Sequence, residues 1–190
     1  MNISANLYSP GTIPESYVAN LVNLQSLSAA SANISAIPDL SPWTNLESLD
    51  LSDNQLAGNM PIWLTINPAT GAPSFPNLQA IDMSHNFLQG PIPDLSNSRN
   101  LRVLELQGNS LSQSIPSYIT QLLNLETINL RNNFVTGFLP TNLDQLINLK
   151  HLDVSGTNQI FGAISQQLCT LNATIVVNCA TLQCTCCTCG

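Results

Sequence analysis

Sulfur is concentrated at one end of this 190-residue chain. Cys184, Cys186, Cys187 and Cys189 lie within LQCTCCTCG, residues 182–190, and Cys169 and Cys179 precede them closely. Three chemistries compete for such a block. Thiolates can hold Zn²⁺, but the ligand pairs of a structural zinc site are normally separated by a longer loop than C-x-C-C-x-C provides. A redox dithiol needs C-x-x-C in a βαβ setting; Cys184–Cys187 and Cys186–Cys189 have the spacing without the setting. Disulfides fit an even cysteine count confined to one end, together with N-glycosylation sequons at Asn2, Asn33 and Asn172. Adjacent Cys186 and Cys187 are not expected to pair with each other, because a vicinal bridge strains its geometry. The remaining connectivities stay open at this level.

Asp82, Ser84 and His85 have the residue types of a hydrolytic triad. Asp82 and Ser84, however, sit two apart on one face of a predicted strand, so no nucleophile–base–orienter arrangement follows. His151 falls in a different column of a non-adjacent coil. No Gly-rich loop, HRD or DFG is present. The sequence therefore predicts neither an enzyme nor a bound cofactor.

The elements that must position these residues come from a repeat. LESLDLSDNQLAG (46–58), LQAIDMSHNFLQG (78–90), LRVLELQGNSLSQ (101–113) and LETINLRNNFVTG (125–137) share one template, with looser copies starting at Leu149 and Leu24. Most units then close on an Ile-Pro-like step, such as Met60-Pro61, Ile92-Pro93, Ile115-Pro116 and Leu139-Pro140. In LESLDLSDN, Leu49 and Leu51 alternate with Asp50 and Ser52, the period of a strand with one apolar face. Such strands pair in parallel between coils at about 4.8 Å, stacking the leucines. Asn54, Asn86, Asn109 and Asn133 each lie eight positions after the first leucine, where an amide can satisfy backbone groups buried by a turn. The expected division is repeats over 1–168 and a Cys-rich cap over 169–190. Coils start near 24, 46, 78, 101, 125 and 149, with a partial coil over 1–23 and a convex loop insertion at 64–77. Aligned as one more unit, LNATIVVNC puts Leu171, Thr174, Val176 and Cys179 on repeat positions, with Cys179 in place of asparagine. The six cysteines would then close the open end of the stack.

L-x-x-L-x-L-x-x-N-x-L is the pattern of leucine-rich repeats, and LAGNMP (56–61), LQGPIP (88–93) and VTGFLP (135–140) resemble their plant-type class. The Cys-rich end is similar to those of diatom and related algal repeat proteins. The resemblance implies an α/β, mostly β, right-handed solenoid of about seven coils with a parallel sheet on its concave face. It implies an extracellular or cell-surface recognition module, like receptor ectodomains or polygalacturonase-inhibiting proteins, whose ligand is a protein or peptide. The paired-cysteine N-terminal cap usual in that class is absent from the sequence.

Charge refines the expectation. Charged residues are 8% of the chain, against roughly 25% on average. The first base is Arg99, after seven acids, so the net charge of −7 sits in the first half. That argues against a nucleic acid or an anionic membrane as partner. No apolar run approaches the ~20 residues of a membrane helix, and MNISANLYSPG lacks a signal peptide's basic and apolar regions; membrane attachment would need a segment beyond this sequence. The fifth strand position reads Ser28, Asp50, Asp82, Glu105, Asn129, Asp153, which places like charges one strand apart. With Glu47, Asp53, His85, Arg102 and Arg131 nearby, the predicted concave site is acidic at its N-terminal end and mixed beyond. It suits a cationic partner, and secondarily calcium. An alternative is a surface for ice, mineral or polysaccharide, built on the Ser, Thr and Asn columns. The seventh position (Ala30, Ser52, Ser84, Gln107, Arg131, Ser155) interrupts any uniform array.

Overall fold

The computed structural model describes residues 11–156 and 158–190. In chain order its strands are β1 (Gly11–Thr12), β2 (Ser26–Ser28), β3 (Ile34–Ala36), β4 (Ser48–Asp50), β5 (Ala57–Asn59), β6 (Ala80–Asp82), β7 (Phe87–Gly90), β8 (Val103–Glu105), β9 (Ser110–Gln113), β10 (Thr127–Asn129), β11 (Phe134–Phe138), β12 (His151–Asp153), β13 (Gln159–Ala163), β14 (Thr174–Val177), β15 (Leu182–Gln183) and β16 (Thr188–Cys189). Among the described residues the even-numbered strands from β2 to β16 form one eight-stranded parallel sheet. The odd-numbered strands from β5 to β15 form a second sheet of six, and β1 pairs with β3. The first sheet lines the concave face of the solenoid.

The repeat explains both sheets. Leu27, Leu49, Ile81, Leu104, Ile128 and Leu152, the central residues of the concave strands, are buried, and the flanking column Ala29, Leu51, Met83, Leu106, Leu130 and Val154 packs beneath. In or just before the strands of the second sheet Leu56, Leu88, Leu111, Val135 and Ile160 turn inward, one per coil, between outward-facing neighbours. The closing Ile-Pro steps lead into short 3₁₀ turns at Ile62–Leu64 and Ser117–Gln121 on the convex side, with Pro61 and Pro116 as their extended N-caps, where proline's fixed φ and missing N–H are tolerated. The insertion at 64–77 is anchored by Phe75, whose buried ring meets Trp63 edge-on at 6.0 Å.

Between the two sheets the chain turns through a left-handed residue in successive coils: Ser31, Asp53, His85, Gly108, Asn132 and Gly156 all have positive φ. The following asparagine holds the turn. Asn86 Oδ1 accepts from Leu56 N at 2.9 Å, and its Nδ2 donates to the carbonyls of Leu51, Met83 and Ser84. Asn54, Asn109 and Asn133 repeat the arrangement. Asn158, displaced by one residue in sequence, still reaches its station, accepting from Val135 N and donating to Leu130 O. Asn33, displaced likewise, leaves the ladder, and its side chain accepts from Gln55 instead.

The C-terminal block differs from its sequence alignment by one residue. β14 pairs with β12 as Leu152↔Ile175 and Asp153↔Val176, so Ile175 and Val177 occupy the buried columns, not Thr174 and Val176. The β-branched run TIVV supports either phase, and the deeper burial of Ile over Thr decides it. Cys179 consequently misses the asparagine position. It is exposed and bonded to Cys189. The other bridges are Cys169–Cys186 and Cys184–Cys187, which leave no cysteine free.

Candidate recognition surface

Register places the fifth-position residues side by side. Ser28↔Asp50, Asp50↔Asp82 and Asp82↔Glu105 are successive partners across β2, β4, β6 and β8, followed by Glu105↔Asn129 and Asn129↔Asp153. The aspartates are held by neighbouring hydroxyls. Asp50 accepts from Ser52 Oγ at 2.7 Å and from Ser28 Oγ at 3.0 Å. Asp82 and Asp153 accept from Ser84 Oγ and Ser155 Oγ, each at 2.6 Å. This Asp-x-Ser clip fixes each carboxylate and removes its serine from the surface. Ser84 and Ser155 are 3% and 0% exposed, although alternation alone places them on the open face. The hydroxyl column of the alternative reading is therefore not an exposed row on this sheet.

Glu105 is half-buried. Burial holds its carboxyl above the usual carboxylate range; a hydrogen bond from Asn129 and the charge of His151 oppose this, and the charges of Asp82 and Asp153 add to it. One of its oxygens, Oε2, is buried without a hydrogen-bond partner.

The bases beyond this point are engaged. Arg102 lies 3.5 Å from Glu126, which also pairs with Lys150. Lys150 first, with Arg102, holds the Glu126 carboxyl below its ordinary value. Arg131 lies 3.9 Å from Asp153. Glu47, Asp50, Asp53, Asp82 and Glu105 have no basic side chain within ion-pair distance among the described residues. The acidic half of the sheet is thus uncompensated, and the mixed half is internally paired. Such exposed pairs add little stability individually; their effect here is on where free charge remains.

Asp53 and His85 are exposed in the left-handed turns after β4 and β6, at the rim of the concave sheet and not within its strands. The His85 ring lies over Gly108, where an added Cβ would fall 2.7 Å from Nδ1. His85 is thus set apart from Ser84, whose hydroxyl is clipped to Asp82. The Asn129 side chain accepts from Arg131 N at 3.2 Å. Glu126 was not among the residues singled out from sequence. Its place one strand from both Arg102 and Lys150 was the signal that could have found it. The carboxylates do not gather into an ion site. Among the described residues the group of ligand atoms within 4.8 Å of one another is Cys169, Cys184 and Cys186, whose sulfurs are consumed in disulfides. Of the three sequons, Asn172 is exposed, Asn33 is half-buried, and Asn2 lies outside the described residues. No described helix is long and apolar enough to cross a membrane.

Comparison with known proteins agrees with this architecture. Two family profiles match, both described as leucine-rich repeat, one over residues 99–160 and the other over 45–65 and 77–98. Receptor-like protein 31 of Arabidopsis thaliana is 32% identical over 123 residues, covering 63% of this chain and 12% of that protein. Receptor-like protein 47 of the same plant is 34% identical over 97 residues, covering 49% and 11%. The chain thus spans about a tenth of the length of these curated relatives. Among solved structures, PEPR1–AtPEP1 superposes with TM-score 0.79 at 29% identity, over 93% of this chain and 24% of that one. The plant peptide hormone receptor RGFR1 in complex with RGF2 gives 0.77 at 28%, over 93% and 27%. A TDR receptor gives 0.77 at 32%, over 100% and 30%. The chain belongs to the leucine-rich-repeat proteins, and its repeats are of the plant type.

Proposed function

We propose that this chain is a non-catalytic recognition module, secreted or displayed at a cell surface, that binds a peptide or protein through its concave sheet. The acidic half takes the basic part of the ligand. The observation carrying this reading is the row Asp50, Asp82 and Glu105, flanked by Glu47 and Asp53, on consecutive coils and without basic partners among the described residues. Like charges at strand spacing cost stability, and a cationic ligand offsets that cost on binding. The Asp-x-Ser clips orient the carboxylates in advance, so less side-chain entropy is lost when a ligand arrives. Peptide-bound neighbours such as the RGFR1–RGF2 complex support a peptide as the ligand class, and the three disulfides suit an oxidising compartment.

A random peptide array probed with the labelled protein tests this. Selected peptides should be enriched in Lys and Arg. Asp50→Lys with Asp82→Lys should weaken the best of them at least about tenfold, near 1.4 kcal/mol, and the wild-type affinity should fall as salt rises. Selection of neutral or acidic peptides, or equal affinity after charge reversal, would falsify the acidic-face reading.

A further inference from the structure

The second sheet carries a different signal. This protein has five phenylalanines. Phe75 is buried, while the other four are exposed and all lie on the second sheet: Phe87 64%, Phe134 54%, Phe138 70% and Phe161 47%. Burying such rings is among the larger single contributions to a core, so their systematic outward placement needs a reason. The strands that bear them, and the others of that sheet, contain no Asp, Glu, Lys, Arg or His, in a chain whose charge crowds the concave face. The exposed positions between the rings are Gln89, Ser110, Thr136 and Gln159.

The rings are grouped. Phe138 and Phe161 are register partners on β11 and β13. Phe138 lies against Gly162, where an added Cβ would approach its Cδ1 to 3.3 Å. Phe134 lies four residues before Phe138 on the same strand, about 13 Å away at the rise of extended chain. Phe87 lies two strands away, across β9, and four residues out of register with Phe134, about 16 Å from it by strand spacing and rise. The surface therefore alternates aromatic rings with neutral amides and hydroxyls over a distance longer than one sugar ring.

We propose that this second sheet binds a neutral polysaccharide, with Phe134, Phe138 and Phe161 as the stacking platform and Phe87 as an outlying contact. The axial C–H groups of a pyranose carry partial positive charge and meet the negative faces of aromatic rings, while its hydroxyls match the neighbouring Gln, Ser and Thr side chains. An uncharged face suits an uncharged polymer, as the acidic face suits a cationic one. A second copy of this chain fits less well. The exposed parts of four phenylalanines amount to a few hundred Å², below the roughly 800 Å² per partner of a stable interface, and polar side chains divide them. The proposal concerns a different face from the concave one and stands or falls separately from it.

The test is co-sedimentation of the purified chain with insoluble cellulose, chitin and a β-1,3-glucan, with pectate gel as the charged control. Retention is expected on at least one neutral polymer, should persist at high salt, and should drop at least tenfold for Phe138→Ala with Phe161→Ala. Asp50→Lys with Asp82→Lys should leave it unchanged. Circular dichroism checks that the double alanine variant folds; should it not, Phe134→Gln must weaken retention while Phe138→Tyr, which keeps a ring, preserves it. No retention on any neutral polymer, or equal retention by the ring variants, overturns the proposal. So do a ring-dependent dimer in light scattering without polymer binding, and ring-dependent inhibition of ice recrystallisation without polymer binding.

Discussion

The two sheets of each coil share a core and differ almost completely outside it. The concave strands bear Glu47, Asp50, Asp82, Arg102, Glu105, Glu126, Arg131, Lys150 and Asp153 on or beside them; the second sheet bears no charge and four of the five phenylalanines. Both turn buried aliphatic side chains inward, at every second residue of the concave strands and once per coil in the second sheet, where glycine or Gln113 stands two residues on. Inward positions are fixed by packing, which tolerates little beyond volume-matched apolar side chains. Outward positions are released from that constraint and record what each face meets. Two faces so unlike, on one stack, are better suited to two kinds of partner than to one.

The largest effect should come from the residue that ties the sheets together. Asn86→Ala leaves Leu56 N and three carbonyls without their partner. At about 1–3 kcal/mol per buried unsatisfied group, urea unfolding should show a loss of about 3 kcal/mol or more, with both sheets loosening together. A loss near zero would mean that the two faces are not mechanically joined through this ladder.

A change confined to the second sheet should be smaller. Gln113 occupies a left-handed station, φ 68°, that is glycine in the equivalent Gly58, Gly90 and Gly137. Gln113→Gly removes the Cβ penalty and should stabilise by up to about 1 kcal/mol, a rise in Tm of roughly 2–4 °C for a chain of this size. A fall in Tm would show that the Gln side chain contributes more than its strain costs.

On the concave sheet the smallest effect is a matter of sign. The Glu105 carboxyl is held above its ordinary value by burial and by neighbouring acids. Folding therefore favours its protonated form, so its contribution to stability declines as pH rises from the unfolded carboxylate range through the raised folded value, and stays low above it. Glu105→Gln should raise Tm at pH 7, and the difference should vanish below about pH 4. A difference independent of pH would assign the gain to packing.

The concave strands were legible because Leu-x-Leu alternation and the asparagine station repeat at near-constant spacing, and both have a direct physical cause. The second sheet was not separated from the convex turns in the sequence, because Leu-x-Gly-x-Ile-Pro contains glycine and proline, which read as turn signals. Only the coil-to-coil pairing turns that segment into strands. The phase of β14 was missed because Thr174, Ile175, Val176 and Val177 are all good strand formers. The carboxylate column was legible as far as residue identity goes. The burial of Ser84 and Ser155 was not, since it follows from a local hydroxyl–carboxylate bond and not from alternation. The role of Glu126 emerged only once neighbouring coils fixed Arg102 and Lys150 on either side.

The central claim is that a basic peptide lies on the acidic half of the concave sheet. Hydrogen–deuterium exchange of the protein with and without the best array-selected peptide tests it most directly. The account predicts added protection across residues 47–53, 79–85 and 102–107, with little change over 134–138 and 159–163. Protection centred on the phenylalanine strands instead, with the concave segments unchanged, would contradict it.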